Sequence, residues 1–308
     1  VNKGLIYGLL LCLMMVWGFN VIAIKVLVDY FSPITIQAFR ILTAGIVVLG
    51  VLLAKNEFRK LNKKETGYIA LIALTGVFAH HSLLATGLSQ TTASNGGLIL
   101  GLVPLTTSIF AMLFLGDRLT PLRLLGIVLG FVGVAFVVLN GSGGIGSASL
   151  GDLFVLLAVL SQATSFVFIK KVTQTLDARL ITGIMLVSGS ILLFLVGRQI
   201  EPAGLETFGT APGWIWLIFL GSAVLATGLG HMLFNNAIQH LGAGETAIFN
   251  NLVPFFSLIG SYVFLGEIIH FGQIFGFIFI MAGVILGTGV IEHRRHFEEI
   301  NAKKINHH

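Results

Sequence analysis

The chain holds few side chains that could do chemistry, and most of them stand inside apolar stretches. It has nine histidines, 13 acidic side chains and one cysteine in 308 residues. HHS at 80–82 sets histidine beside serine, but neighbours on a helix point apart. No GxSxG elbow accompanies them. The single Cys12 allows no disulfide framework and no CxxC site. His81 and His231 alone are too few for a tetrahedral metal site, so no metal is expected. There is no GxxxxGK[ST] phosphate loop, so the chain itself is no ATP-driven pump, and no cofactor is expected. What remains is recognition: polar groups placed where water is scarce.

Those groups fall into patterns. Thr227, His231 and Asn235 recur at i, i+4 and i+8 and so fall along one helix face. Thr246, Asn250, Pro254, Ser257 and Ser261 share another. Trp17 and Asn20 share a face about 20 Å along a first helix from Gly4, too deep for an interfacial anchor. Gln162 matches Trp17 at a shift of 145 residues, and His81 matches His231 at a shift of 150. His80 and His81 are adjacent, so at most one of the pair is expected to face the cavity, and the repeat match favours His81. The competing reading of the two polar faces is helix–helix hydrogen bonding, worth about 0.6 kcal/mol on average in membranes; for Trp17 it is a core tryptophan, and for His81 a satisfied structural histidine. Arg40 lies two turns into a span, where an arginine costs at least ~2.5 kcal/mol. It either meets an anionic group or braces helix-end carbonyls. Glu245 is a candidate for proton coupling or for contact with a cationic group, against the plainer reading of a carboxylate at a helix start. Pro104 and Pro254 each remove a backbone hydrogen bond and are candidate hinges.

The elements that must position these residues are membrane helices. The chain is 56% hydrophobic and only 10% charged, against about 25% charged in soluble domains. A bilayer-spanning helix needs about 20 apolar residues. Ten such stretches are read at 4–28, 34–54, 67–89, 93–115, 121–139, 151–172, 178–197, 213–239, 243–265 and 270–290. The first is too long for a signal-peptide core. With the N-terminus in the cytoplasm, 15 of the 18 basic residues fall on the inner side, as the positive-inside rule asks. The net charge of +5 is then a topology signal and not a nucleic-acid footprint. Both termini are expected in the cytoplasm, in a cell membrane.

The chain repeats itself. GLVPLTTSIFAMLFLGD at 101–117 returns as NLVPFFSLIGSYVFLGE at 251–267, and ten of 33 positions match between 102–134 and 252–284. Asp117 matches Glu267, and both are expected at helix ends, on exposed amides. Each unit has five spans, an odd number, so the second enters the membrane from the opposite side. The fold class is an all-α integral membrane protein with ten transmembrane helices in two inverted five-helix repeats. The expected division is 1–141, a Gly/Ser linker at 142–150, the second repeat at 151–291 and a cytoplasmic tail at 292–308.

WGFNVIAIK (17–25), SPITIQAFR (32–40) and the two LVP…FLG-acid phrases resemble the drug/metabolite transporter superfamily, and most closely its ten-helix EamA-type exporter branch. The resemblance implies a permease for small metabolites, amino acids or drugs, with a central cavity between the two units and alternating access to either side. A small-molecule substrate, the lipid bilayer and, as a candidate, protons are the expected partners. A channel or an intramembrane enzyme is the alternative, but no TVGYG-like filter or acidic ring is present. The substrate, the direction of flux and the oligomeric state are not written in the sequence.

Overall fold

A computed structural model describes residues 3–54, 59–115, 120–139, 149–241 and 249–287. No strand occurs among the described residues. Eight helices are long and apolar enough to span a bilayer: α1 (Gly4–Tyr30), α2 (Pro33–Ala54), α3 (Lys63–Leu88), α4 (Ala93–Phe114), α5 (Pro121–Leu139), α6 (Leu150–Val172), α7 (Ala178–Ile200) and α8 (Gly213–Ala237). Two shorter apolar helices, α9 (Asn250–Leu265) and α10 (Phe271–Gly287), complete the set. With no water in the hydrocarbon to satisfy backbone groups, helices are the open solution for such sequences.

The packing repeats with the sequence. α2 packs on α7, α4 on α9 and α5 on α10, each helix against its own counterpart. The pair α1–α8 is mirrored by α6–α3, and α1–α9 by α6–α4. Five helices followed by five antiparallel equivalents give two inverted repeats that interlock.

Local irregularities also come in pairs. The backbone loosens to π-helix at Ala73–Ala79 in α3 and at Gly221–Leu229 in α8. Helix α4 breaks at Gly101–Leu102, and α9 opens on a 3-10 turn at Asn250–Leu252. π-helical turns are rare and often mark functional sites. Sequence periodicity assumed a uniform 3.6-residue repeat and did not show them.

The prolines act differently from the expected mid-helix loss of a bond. Pro104 and Pro254 open the helical segments that follow these breaks. There a missing N–H costs nothing, because first-turn amides have no intrahelical partner anyway. The two breaks touch: a Cβ on Gly101 would lie 2.6 Å from Cγ of Pro254. Only glycine permits that approach.

Caps tie the repeats together on one side, opposite the start of α1. Glu201, just after α7, accepts from the amides of Ile34 and Thr35 at 2.9 and 2.7 Å and from Oγ1 of Thr35 at 2.7 Å. Glu267, just after α9, accepts from the amides of Ala93 and Ser94 at 2.7 and 2.9 Å, and from the Ser94 hydroxyl. Both carboxylates belong to the second repeat and both cap a helix of the first. Asp152 forms a capping box with Ser149 at the start of α6 and accepts from Thr91 at 2.5 Å. The expected helix-end role fits Glu267. Asp117 lies outside the described residues.

Candidate functional site

The cavity at the meeting of the repeats is assembled by six helices. α1 brings Trp17 and Asn20, α3 brings His80 and His81, and α6 brings Gln162 and Phe166. α8 brings Ala226, Thr227 and His231, α4 brings Pro104, and α9 brings Asn250. The space is about 130 Å³, comparable with the roughly 150 Å³ of an apolar cavity able to hold benzene. Valine, isoleucine and leucine side chains from α1, α3, α4 and α9 complete the wall.

The π segments place the reactive-type side chains. His80 and His81 follow directly on the first, and His231 follows the second after Gly230. Nε1 of Trp17 donates to the carbonyl of Ala226, inside the second, at 2.8 Å. The indole is held against His231 and Phe234, with centroids 5.2 and 5.0 Å apart. Nδ1 of His231 meets the Thr227 carbonyl at 2.9 Å, and Nδ1 of His80 meets the Ala158 carbonyl at 3.0 Å. A carbonyl only accepts, so both Nδ1 atoms carry hydrogen.

Arg40 stands behind this wall with no exposed surface. Its Nε donates to Oε1 of Gln37 at 2.7 Å. One terminal nitrogen donates to Oγ of Ser222 at 3.1 Å and to Oγ1 of Thr227 at 2.6 Å. The other lies 3.2 Å from Nδ1 of His81. The guanidinium thus joins α2 to α3 and to α8, through side chains and not through the helix-end carbonyls expected of a brace. Ser222 donates on to Oδ1 of Asn20 at 2.5 Å.

Seven of the residues singled out by polarity and spacing line the one cavity: Trp17, Asn20, His81, Gln162, Thr227, His231 and Asn250. Asn235 does not. Its amide turns to α7 and donates to Oγ1 of Thr182 at 2.6 Å. Each i to i+4 step overshoots a full turn by about 40°, so two steps carry Asn235 off the face begun by Thr227. His80 and His81 both line the cavity, against the expectation that at most one would; their rings stand 4.8 Å apart. Ser257 and Ser261 serve packing: Ser257 bonds the Ala93 carbonyl at 3.3 Å, and Ser261 its own helix at 2.9 Å. Lys25 pairs with Asp29 at 3.3 Å. Glu245 and Thr246 lie outside the described residues. Among the described residues, no group of three His, Cys, Asp or Glu could hold a metal ion.

Sequence reading missed Ser222 and Gln37. Gln37 sits three residues before Arg40, a spacing that puts both on one helix face, and could have been found. Ser222 could not, because its partners are 182 and 202 residues away.

Described residues that form helices and no strand, interlocking inverted repeats and an apolar cavity bearing a few polar side chains at their junction define a polytopic membrane transporter. The comparisons name the family. The EamA-like transporter family matches residues 3–139 and again 149–288, and the chain belongs to it. It is 32% identical over 244 residues to the transporter YyaM of Bacillus subtilis, spanning 77% of this chain and 79% of that protein. It is 24% identical over 240 residues to YedA of Escherichia coli, named as an inner membrane transporter, spanning 75% and 74%. A solved crystal structure shares the fold with a TM-score of 0.64 at 17% identity, covering 93% of this chain and 97% of that one.

Proposed function

We propose that the protein is a secondary carrier that exports a small metabolite from the cytoplasm by exposing its central cavity to one side of a cell membrane and then the other. The observation that carries this reading is the paired placement of helix breaks and π segments around one cavity. Two equivalent half-units can exchange conformations, and the cavity between them then changes sides. Pro104 and Pro254 act as the hinges in this exchange. Spin labels placed across the α4 and α9 breaks should report a changed inward/outward population in Pro254→Ala. Populations equal to those of the unmodified protein would refute the hinge.

The carrier reading is tested by counterflow in liposomes, with a metabolite panel loaded inside. Saturable exchange of one or more compounds is expected, and flux that never saturates would indicate a pore. Trp17→Ala removes both the Ala226 bond and the ring wall. Its exchange rate should fall by about tenfold or more, the scale of a lost buried hydrogen bond plus ring contact. Its amount in the membrane should stay near that of the parent. Unchanged exchange in Trp17→Ala would remove Trp17 from the site.

The distribution of basic residues supports cytoplasmic termini, and YedA, a relative, is named for an inner membrane. With Cys12 replaced, a cysteine at Thr210 should react with an impermeant reagent on intact cells, and one at Asn62 should not. The opposite pattern would invert the topology. Protons are the candidate coupling ion, and His231 is the titratable group of the cavity nearest Trp17. Loss of pH-gradient-driven accumulation in His231→Gln, with exchange at equal pH retained, is the expected sign.

A further inference from the structure

Arg40 decides what the cavity presents to a ligand. A guanidinium has five donors and no acceptor. Every group that bonds it must therefore offer a lone pair and send any proton of its own elsewhere. Ser222 accepts from Arg40 and passes its hydroxyl proton to Oδ1 of Asn20. That fixes the Asn20 amide with its oxygen toward Ser222 and its two N–H bonds unspent among the described residues. Thr227 accepts from Arg40 and gives its proton to the Ser222 carbonyl at 3.0 Å. His81 accepts at Nδ1, so its ring hydrogen is carried by Nε2, on the edge away from Arg40. Asn20 and His81 both line the cavity. The arginine thus leaves two cavity-lining residues, Asn20 and His81, with hydrogen-bond donors to offer.

The charge points the same way. The described ion pairs are Lys25–Asp29, Arg59–Glu65 and Arg179–Asp177, and none involves Arg40. All four of its described partners are neutral. A buried cation without a counter-charge among the described residues holds a positive potential in a low-dielectric wall. Among the described residues, none that lines the cavity is acidic. On the other walls the balance reverses. Nδ1 of His80 and of His231 is spent on carbonyls, so in the neutral form of each ring Nε2 is an acceptor. Oδ1 of Asn250 is buried without a partner among the described residues.

Resting on the reading of this cavity as the transport site, we infer that the substrate is a small organic carboxylate with a planar or branched apolar body and one hydroxyl or N–H donor, and without an ammonium group. The carboxylate lies toward Asn20 and His81, in the field of Arg40. The donor lies toward His80, His231 or Asn250. The body packs against Trp17 and Phe166. A zwitterionic amino acid or an organic amine would bring a cation into a wall that already holds one.

The test uses the purified full chain in lipid nanodiscs and equilibrium binding by calorimetry. The probes are para-hydroxybenzoate, para-hydroxybenzamide and para-hydroxybenzylamine, alike in shape and different in charge, with the matched acid, amide and amine of 3-methylbutanoate. The acids are expected to bind at least about tenfold more tightly than their amides, and the amines weakest. Asn20→Asp supplies Arg40 with a counter-charge and replaces the unspent donors with an anion, so it should fold and lose the preference for acid over amide. A structural role for Arg40 alone would leave that preference unmoved. Amides or amines binding as tightly as the acids would overturn the inference and leave the carrier reading standing. Failure of both acids to bind at millimolar concentration would overturn it too, while the carrier reading is judged separately by saturable counterflow of the metabolite panel.

Discussion

Gly283→Val is expected to leave almost no folded protein in the membrane. A Cβ at Gly283 would lie 2.5 Å from the backbone nitrogen of Gly130, 2.7 Å from the carbonyl oxygen of Gly126 and 2.8 Å from Cα of Gly130. These are backbone atoms, so no side chain can rotate away and helix α10 must move bodily off α5. The seam is built of small residues on both sides: Gly126, Gly130 and Gly133 face Gly276, Gly283 and Gly287. Lipid offers no hydrophobic drive for helix association, so close van der Waals contact between small residues carries it. Overpacking a core usually costs about 1–3 kcal/mol, and a clash along a whole helix backbone exceeds that range. Gly50→Val is the control, since nothing lies within 4 Å of a Cβ there. Size-exclusion of a fluorescent fusion from solubilised membranes should show the monodisperse peak lost for Gly283→Val and kept for Gly50→Val. A normal peak for both would mean that the α5–α10 seam tolerates separation.

Glu267→Ala should weaken the fold by about 3 kcal/mol, because hydrogen bonds to a charged acceptor are worth about 1.5–3 kcal/mol each and are not fully additive. The carboxylate holds two first-turn amides and a hydroxyl of α4. Those amides are orphan donors, and the positive end of the helix favours an anion there. Behind it, the Gln273 amide donates to Oδ1 of Asn95 at 2.7 Å, and the Asn95 amide donates to Asp152 at 3.3 Å. Losing Glu267 therefore loosens the joint between α4, α6 and α10. Thermal unfolding in detergent should start several degrees lower, and cysteine at Thr92 should become more reactive. Glu206→Ala, on an exposed 3-10 turn, should change neither. Equal melting of the Glu267 and Glu206 variants would show that the cap is dispensable.

The span count and the repeat were legible in the sequence for one reason. Bilayer thickness fixes a length of apolar residues, and that constraint is local and one-dimensional. The described spans begin and end within a few residues of the reading for nine helices. The ninth is described only from Asn250. The candidate site was legible because a polar group in an apolar span needs a reason to be there. Seven of eight residues chosen on that ground meet in one cavity, though they come from five helices.

What the sequence left open depends on distances between residues far apart in the chain. Asn235 has the same spacing credentials as His231, yet it finds Thr182 first, and no pattern along α8 contains that fact. Both histidines of the 80–81 pair reach the cavity, just beyond a π segment that periodicity assumes away. Arg40 was ambiguous between brace and anion site because its cost is local and its compensation is not. Ser222, Thr227 and His81 are brought to it only when α3 and α8 pack beside α2. Membrane hydropathy fixes which segments cross. Which of their polar groups face one another is decided by helix rotation and backbone register, and these are set by the packing of the whole bundle.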